Sequence, residues 1–489
     1  MSMEDIKTLD SEKECLELKE IFKDVFRYAP SKACGTIGNA LIVPVYTSIL
    51  TTEEYGLYSL SIALLSFLCI IFSDWIGLSG LRFFKKNQMM QNLTKYLSTL
   101  IFMLTGNLIF MFVLTSVFHA HIESFFKIPL YIIASILLLI IPVAIRALLF
   151  QLLRAQLKSW AYTFSTILNQ LLTIILSVIF VKVYHLGALS MLLGMAVSIT
   201  ITDFILLFQS SVLKELDLFS KIEFKFIFPI MKYGIPIAAT SLAAWTINQS
   251  NKFIMNNISG FNEVGMVGVA YGLTLPLLMT IFATITVAAI PRIYNLYEEK
   301  YDVTHIISMF VGYYIMIALP LVTTMAVFSQ DYVHVFSANS NFYAAFKIIP
   351  YFAFGTFFLS MTDYTTLQYH LANKTYIDFV LKLISGIVCI VLNVVLIPKY
   401  SLIGVGIATL AANLLYLLLS MLIVLPGLRL HYEKSVMNKI LISVIPFVCC
   451  ILVLYNINIP AWIKLVLAPA VFYVSYWFFA LKSASKKVN

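Results

Sequence analysis

Fourteen runs of roughly twenty mostly apolar residues, joined by short polar connections, constrain this chain more than any other feature. Each helical residue rises about 1.5 Å, so such a run crosses a hydrocarbon core of about 30 Å. No water inside that core can satisfy a backbone N–H or C=O. Helices, which bond within themselves, are the structure such runs can form. Composition agrees. The chain is 61% hydrophobic and 12% charged, with mean hydropathy +0.92, against about 45–50% and about 25% for a soluble domain. The expected fold class is an all-α polytopic membrane protein of about 14 transmembrane helices.

Residues 1–29 carry Glu4, Asp5, Glu12 and Glu14 and lack the apolar core of a cleavable signal peptide. The chain is therefore expected to start in the cytosol. Ile21, Phe22, Val25 and Phe26 recur at helical spacing. They predict either an amphipathic helix on the inner leaflet or a frayed lead-in to the first span. Most of the 33 Lys and Arg residues fall on the same side as this leader. Only Lys127, Lys182, Lys252, Lys347, Lys399 and Lys464 fall on the other side, and Lys32 and Lys382 lie near the starts of their spans. The bias predicts both termini in the cytosol of a multi-pass protein of the cytoplasmic membrane. It also accounts for the net charge of +9 without a nucleic-acid partner. Of the six cysteines, five lie in apolar spans and Cys15 lies in the leader. None has neighbouring histidines at metal-ligand spacing, so they read as packing residues, with no disulfide framework. His119, His121 and Glu123 share an outer loop, a pattern too weak for a metal site.

The runs are organised by a repeat. Thr52-Glu53-Glu54-Tyr55-Gly56-Leu57-Tyr58 is followed, 26 residues after its glycine, by Arg82. Phe261-Asn262-Glu263-Val264-Gly265-Met266-Val267 is followed, 27 residues after its glycine, by Arg292. A second anchor joins Lys158-Ser159-Trp160 and Tyr184-His185-Leu186 to Lys374-Thr375-Tyr376 and Tyr400-Ser401-Leu402, at an offset of 216 against 209–210 for the first. Two collinear anchors relate spans 1–6 to spans 7–12. Six spans per half is an even number, so the halves are expected to share one orientation. The domains predicted are the leader (1–29), an N-lobe (30–215), a C-lobe (216–425) and two further spans with a tail (426–489).

At these residues the chain resembles a known family. The segment 42–60 closing at Arg82-Phe83-Phe84, Leu153-Arg154-Ala155-Gln156, Lys232-Tyr233-Gly234-Ile235-Pro236 and the stretch 248–265 resemble Wzx-type oligosaccharide flippases. These are polysaccharide-biosynthesis transporters of the multidrug/oligosaccharidyl-lipid/polysaccharide exporter superfamily. Lys399-Tyr400-Ser401-Leu402-Ile403-Gly404 fits as well. The resemblance implies two six-helix lobes around a cavity. It also implies a polyprenyl-diphosphate-linked oligosaccharide turned from the inner to the outer leaflet by alternating access, for O-antigen or capsule export. The partners implied are that lipid-linked substrate, membrane lipids and a polysaccharide polymerase; a monomer without cofactor is expected. One departure stands out. The family often carries an Asp-Arg pair near the outer end of span 7, where this chain has Asn251 and Lys252. Coupling through an acid there is in doubt.

Such a substrate needs a replacement for water around its diphosphate. Arg and Lys supply it best, and amides and hydroxyls suit sugars. The candidate substrate-binding residues are Lys32 and Asn39 on span 1, Arg82 and Arg292 ending spans 2 and 8, and Asn248, Gln249, Asn251 and Lys252 on span 7. Arg82, Arg292 and Lys32 equally suit snorkelling to lipid phosphates. Asp74, Asp203 and Asp363 are candidate coupling or structural acids, and Asp74 is placed to pair with Arg82. Asn107, Asn169 and Asn393 suit bonds between helices. Pro44, Pro236 and Pro276 are expected kinks. No P-loop and no catalytic constellation is visible, so no enzyme is expected. The alternatives are a cation-coupled multidrug exporter of the same superfamily, and a scramblase or assembly scaffold.

Overall fold

The computed structural model describes residue 38 and residues 41–156, 158–209, 222–426, 428 and 434–488. The leader, Lys32, Asn39 and the expected lobe boundary at 215/216 lie outside the described residues. Among the described residues there is no strand. Helix α1 covers 41–49. It is followed by α2 (Thr52–Cys69), a π-helical segment (Ile70–Asp74), α3 (Trp75–Met89), α4 (Leu93–Val117), α5 (His119–Phe126), α6 (Leu130–Ala155), α7 (Ser159–Tyr184) and α8 (Ala188–Gln209). Then come α9 (Ile227–Ser259), α10 (Phe261–Glu298), α11 (Thr304–Val327), α12 (Ser329–Phe336), α13 (Ile349–Leu371), α14 (Thr375–Tyr400), α15 (Leu402–Leu422), α16 (Lys434–Asn456) and α17 (Ala461–Val488).

Twelve of these helical stretches are long and apolar enough to cross a membrane, and the bent pair Ser340–Lys347 and Ile349–Leu371 makes a thirteenth. They correspond to expected spans 2–14. Span 1, expected at 30–50, lies largely outside the described residues. The chain is an all-α, multi-pass membrane protein. Between α11 and α13 the chain folds into α12 and a 3-10 helix (Ser340–Lys347).

By contacts the chain forms two compact units. One comprises Pro44–Gly268 with Cys389–Ser401. In it α6 packs against α3 and α8, and α7 lies along α8. The other groups Val269–Val388 with Leu402–Asn489. In it α13 packs between α11 and α15. Helices α16 and α17, the two spans beyond the repeat, pair with each other and dock on α11. Tyr473 Oη donates to Ile317 O at 2.8 Å, and Lys464 meets Asp331 at 3.4 Å.

The span α2–π–α3 shows how local sequence builds the first unit. Thr51 Oγ1 accepts from Glu54 N at 3.2 Å and Glu54 Oε2 accepts from Thr51 N at 2.8 Å. This reciprocal capping box starts α2 where the acidic turn predicts. Eighteen residues after Thr52, the π segment loosens the helix. Asn107 Nδ2 of α4 approaches Phe72 O there at 3.4 Å, so this intramembrane amide bonds another span rather than a substrate. Asn169 does the same for α7, its Oδ1 accepting from Ser198 Oγ of α8 at 2.9 Å. Asn393 instead turns back on its own helix, donating to Cys389 O at 2.8 Å.

The two copies of the repeated turn touch each other. A Cβ on Gly56 would lie 1.9 Å from Phe261 O, and one on Gly265 would lie 2.2 Å from Thr52 O. The contact is reciprocal: 52 and 56 on one copy correspond to 261 and 265 on the other, as about a local twofold. Thr52 Oγ1 also lies 2.6 Å from Asn262 Oδ1, donating to it. Close backbone approach is the reason small residues recur where membrane helices meet. Gly56→Val and Gly265→Val should therefore each destabilise the protein by at least about 1–3 kcal/mol, the usual range for overpacking. Gly106→Val should be near neutral, because a Cβ there meets nothing within 4 Å. Thermal unfolding of the three variants in detergent checks this.

Candidate functional site

Helix α9 carries the cluster Asn248–Lys252, and its neighbours hold it rigidly. At one end Ser79 Oγ of α3 donates to Ile230 O at 3.2 Å. In the middle, Trp245 Nε1 donates to Ser66 Oγ at 3.0 Å and Ala63 O at 3.2 Å, both on α2. Its ring lies 5.0 Å from that of Phe67 and 5.6 Å from that of Phe253. At the far end Asn256 Nδ2 donates to Phe126 O at 2.9 Å, and Lys127 Nζ donates to Asn257 O at 2.9 Å. The start of α9 is tethered as well. Glu223 accepts from Lys225 and, at 2.6 Å, from Lys95. These two bonds hold its carboxyl below the usual range for a glutamate.

Within this frame Asn251 and Lys252 are buried, at 0% and 5% exposure. Asn248 and Gln249 are half-buried. Asn248 Nδ2 donates to Ala244 O at 3.0 Å, leaving its Oδ1 as the acceptor it can offer. Gln249 Oε1 is buried with no hydrogen-bond partner among the described residues. An amide oxygen without a partner costs about 1–3 kcal/mol unless something donates to it. The arrangement joins one cation to three amides on two turns of a spanning helix. Chemically it suits an anionic group flanked by hydroxyls.

The other predicted residues are placed as follows. Arg82 is exposed on α3 and makes no ion pair among the described residues. Thirty residues separate it from Thr52, about 45 Å of helix, which equals a bilayer with its headgroups. That puts Arg82 at phosphate level if Thr52 is at the opposite surface. The expected Asp74–Arg82 pair is not made: eight residues of helix separate the two by about 12 Å. Asp74 ends the π segment and accepts from Ser73 Oγ at 3.3 Å. Arg292 has a helical backbone in α10, and its side chain is outside those described. Asp363 is half-buried on α13, with no ion pair among the described residues.

The family model for "Polysaccharide biosynthesis protein" matches residues 21–297. The chain belongs to this family. A structure of the lipid II flippase MurJ, in an inward closed conformation, is similar over 95% of this chain and 99% of that one, with TM-score 0.72 and 14% identity. An inward-facing multidrug resistance MATE family transporter of the MOP superfamily is similar over 80% of this chain and 93% of that one, with TM-score 0.62 and 14% identity. At such identities the likeness is one of fold. No protein of curated function matches the sequence.

This polysaccharide biosynthesis protein also has two polar sites that sequence reasoning missed. Arg146, counted with the charges flanking the spans, is buried in α6, nine residues before its end. Its Nε donates to Asp203 Oδ1 of α8 at 2.8 Å, and Nη2 donates to Ile199 O at 3.3 Å and to Thr202 Oγ1. Asp203 is thus neutralised by an ion pair. In the other unit Asp378, 1% exposed, accepts from Lys382 Nζ at 2.8 Å and from Tyr416 Oη, with His370 Nε2 at 3.4 Å. The available signals were opposite charges at similar depth on two spans for Arg146 and Asp203, and a four-residue spacing on one helix for Asp378 and Lys382. Arg146→Met strands a buried carboxylate, so it should cost about 3–5 kcal/mol, whereas Arg146→Met with Asp203→Leu should recover most of that loss. Unfolding in mixed micelles measures both.

Proposed function

We propose that the protein is a flippase. It moves a polyprenyl-diphosphate-linked oligosaccharide from the inner to the outer leaflet of the cytoplasmic membrane by alternating access, serving O-antigen or capsule synthesis. The observation that carries this reading is Lys252, buried in a spanning helix beside Asn248, Gln249 and Asn251. A cation in a spanning segment costs several kcal/mol, which marks it as functional by default. Family membership supports the substrate class. On this reading Lys252 meets the diphosphate and the amides meet sugar hydroxyls. Arg82, Arg292, Lys32 and Asn39 are the further residues proposed to meet the headgroup.

The proposed topology has both termini in the cytosol. The protein works as a monomer and passes its product to a polymerase on the outer side. It is a carrier, not a catalyst. The exporter reading needs a free acid in the first half to bind a cationic drug. Asp203 is tied to Arg146 at 2.8 Å, so the exporter reading rests on Asp74, which accepts from Ser73 Oγ and makes no ion pair among the described residues.

Proteoliposomes carrying lipid-linked oligosaccharide, with and without an ion gradient, test the proposal. Lys252→Met should lower transport about 10- to 100-fold, the worth of one charge-assisted hydrogen bond of about 1.5–3 kcal/mol. Arg82→Met and Arg292→Met should lower it in the same direction. Full transport by all three variants removes the site assignment, and drug export without lipid transport removes the flippase.

A further inference from the structure

Helix α4 is anchored along only part of its length. Leu93, Tyr96, Leu97, Leu100 and Leu104 are buried in a core shared with α3 and α6. Beyond them Met111 and Thr115 are still buried, while most of the other residues are open. Ile109 is 60% exposed and Val113 is 55% exposed, and a Cβ on Gly106 would meet nothing within 4 Å. The opening is a groove of about 480 Å³ between α4, α6 and the end of α8, walled by residues such as Leu104, Ile109, Ile141 and Leu148. Thr105 is the one residue with a hydroxyl in its lining. A second groove of about 460 Å³ continues it, sharing Phe112 and Leu137 and reaching His119 and Leu130.

The first groove offers hydrocarbon contacts apart from Thr105, and the polar residues of the second, Thr115, Ser116 and His119, gather toward the end of α4. Length then selects the hydrocarbon. From Leu97 to His119 is 22 residues, about 33 Å of helix, which matches the full core of about 30 Å. A phospholipid acyl chain fills one leaflet, about half that distance. One chain that occupies the groove from end to end must be longer than a leaflet. We propose that the groove between α4 and α6 holds the polyprenyl chain of the lipid-linked substrate. The proposal rests on the flippase reading and adds to it a seat for the tail, apart from the polar cluster on α9. Lipid tails are as apolar as leucine, so the groove selects by packing and shape and not by a hydrophobic drive.

The test uses photoreactive lipids in proteoliposomes. A diazirine-bearing long-chain polyprenyl phosphate is compared with a diazirine-bearing phosphatidylglycerol at equal mole fraction, and adducts are mapped by mass spectrometry. The expected result is adducts on α4 and α6 from the polyprenyl probe, displaced by unlabelled polyprenyl phosphate and not by phospholipid. Ile109→Trp and Ile141→Trp fill the groove from exposed positions, at 60% and 43% exposure, so neither disturbs the core. Each should cut groove adducts about ten-fold, equivalent to 1.4 kcal/mol, and lower transport. Ile387→Trp, exposed on α14 of the other unit, should change neither. Equal labelling by phosphatidylglycerol, or labelling unaffected by both groove variants, overturns the proposal. Transport without groove adducts overturns it while the flippase stands. Groove adducts without transport of any lipid-linked oligosaccharide support the groove and remove the flippase.

Discussion

The contact between Gly56 and Gly265 is the constraint on which the first unit depends. Two helix starts meet there with backbone against backbone, and neither glycine has room for a Cβ. In hydrocarbon, helices gain little from burying apolar side chains against one another, because lipid is an equally apolar alternative. Close approach and interhelical hydrogen bonds are what remain. The Thr52–Asn262 bond adds one of these at the same place, and the capping box at Thr51 sets the phase with which α2 enters. Register along both helices follows from this one point. It governs which face of α2 meets Trp245, and so where α9 presents its amides.

The same economy explains how polar groups are distributed. Most intramembrane hydroxyls return to their own helix, as Thr115 does to Met111 O and Thr274 to Ala270 O. Two groups of charges are paired: Arg146 with Asp203, and Asp378 with Lys382, Tyr416 and His370. In the second half Thr365 Oγ1 and Ser420 Oγ join α13 to α15 by a neutral contact. Gln249 Oε1, close in sequence to the buried Lys252, is one of several buried side-chain oxygens among the described residues that have no hydrogen-bond partner. An unmet acceptor is expensive in a helix bundle, and a transported ligand with hydroxyls is one way to meet it.

Much of the architecture was legible from residue pattern. Runs of about twenty apolar residues mark spans because nothing but a helix satisfies its backbone in lipid. The acidic turn at Thr52–Tyr58 marks a helix start because a capping box is local chemistry within four residues. Arg146 illustrates the limit. Pattern placed it at the flank of a span, since a lone arginine in hydrocarbon is too costly. Its partner is 57 residues away, and only folding shows that the cost is met. Asp74 shows the opposite error. A pairing eight residues along the chain looked reasonable, yet helical rise separates the two groups.

By itself the sequence determined the helical, multi-pass fold, the duplicated turns and the cluster at Asn248–Lys252, because each depends on residue type and short-range spacing. Only the tertiary structure decided that the duplicated glycines touch, that Asp203 is paired with Arg146, and that α4 and α6 leave a largely apolar groove between them. Those outcomes depend on distances between residues far apart in the chain, and local pattern carries no information about such distances.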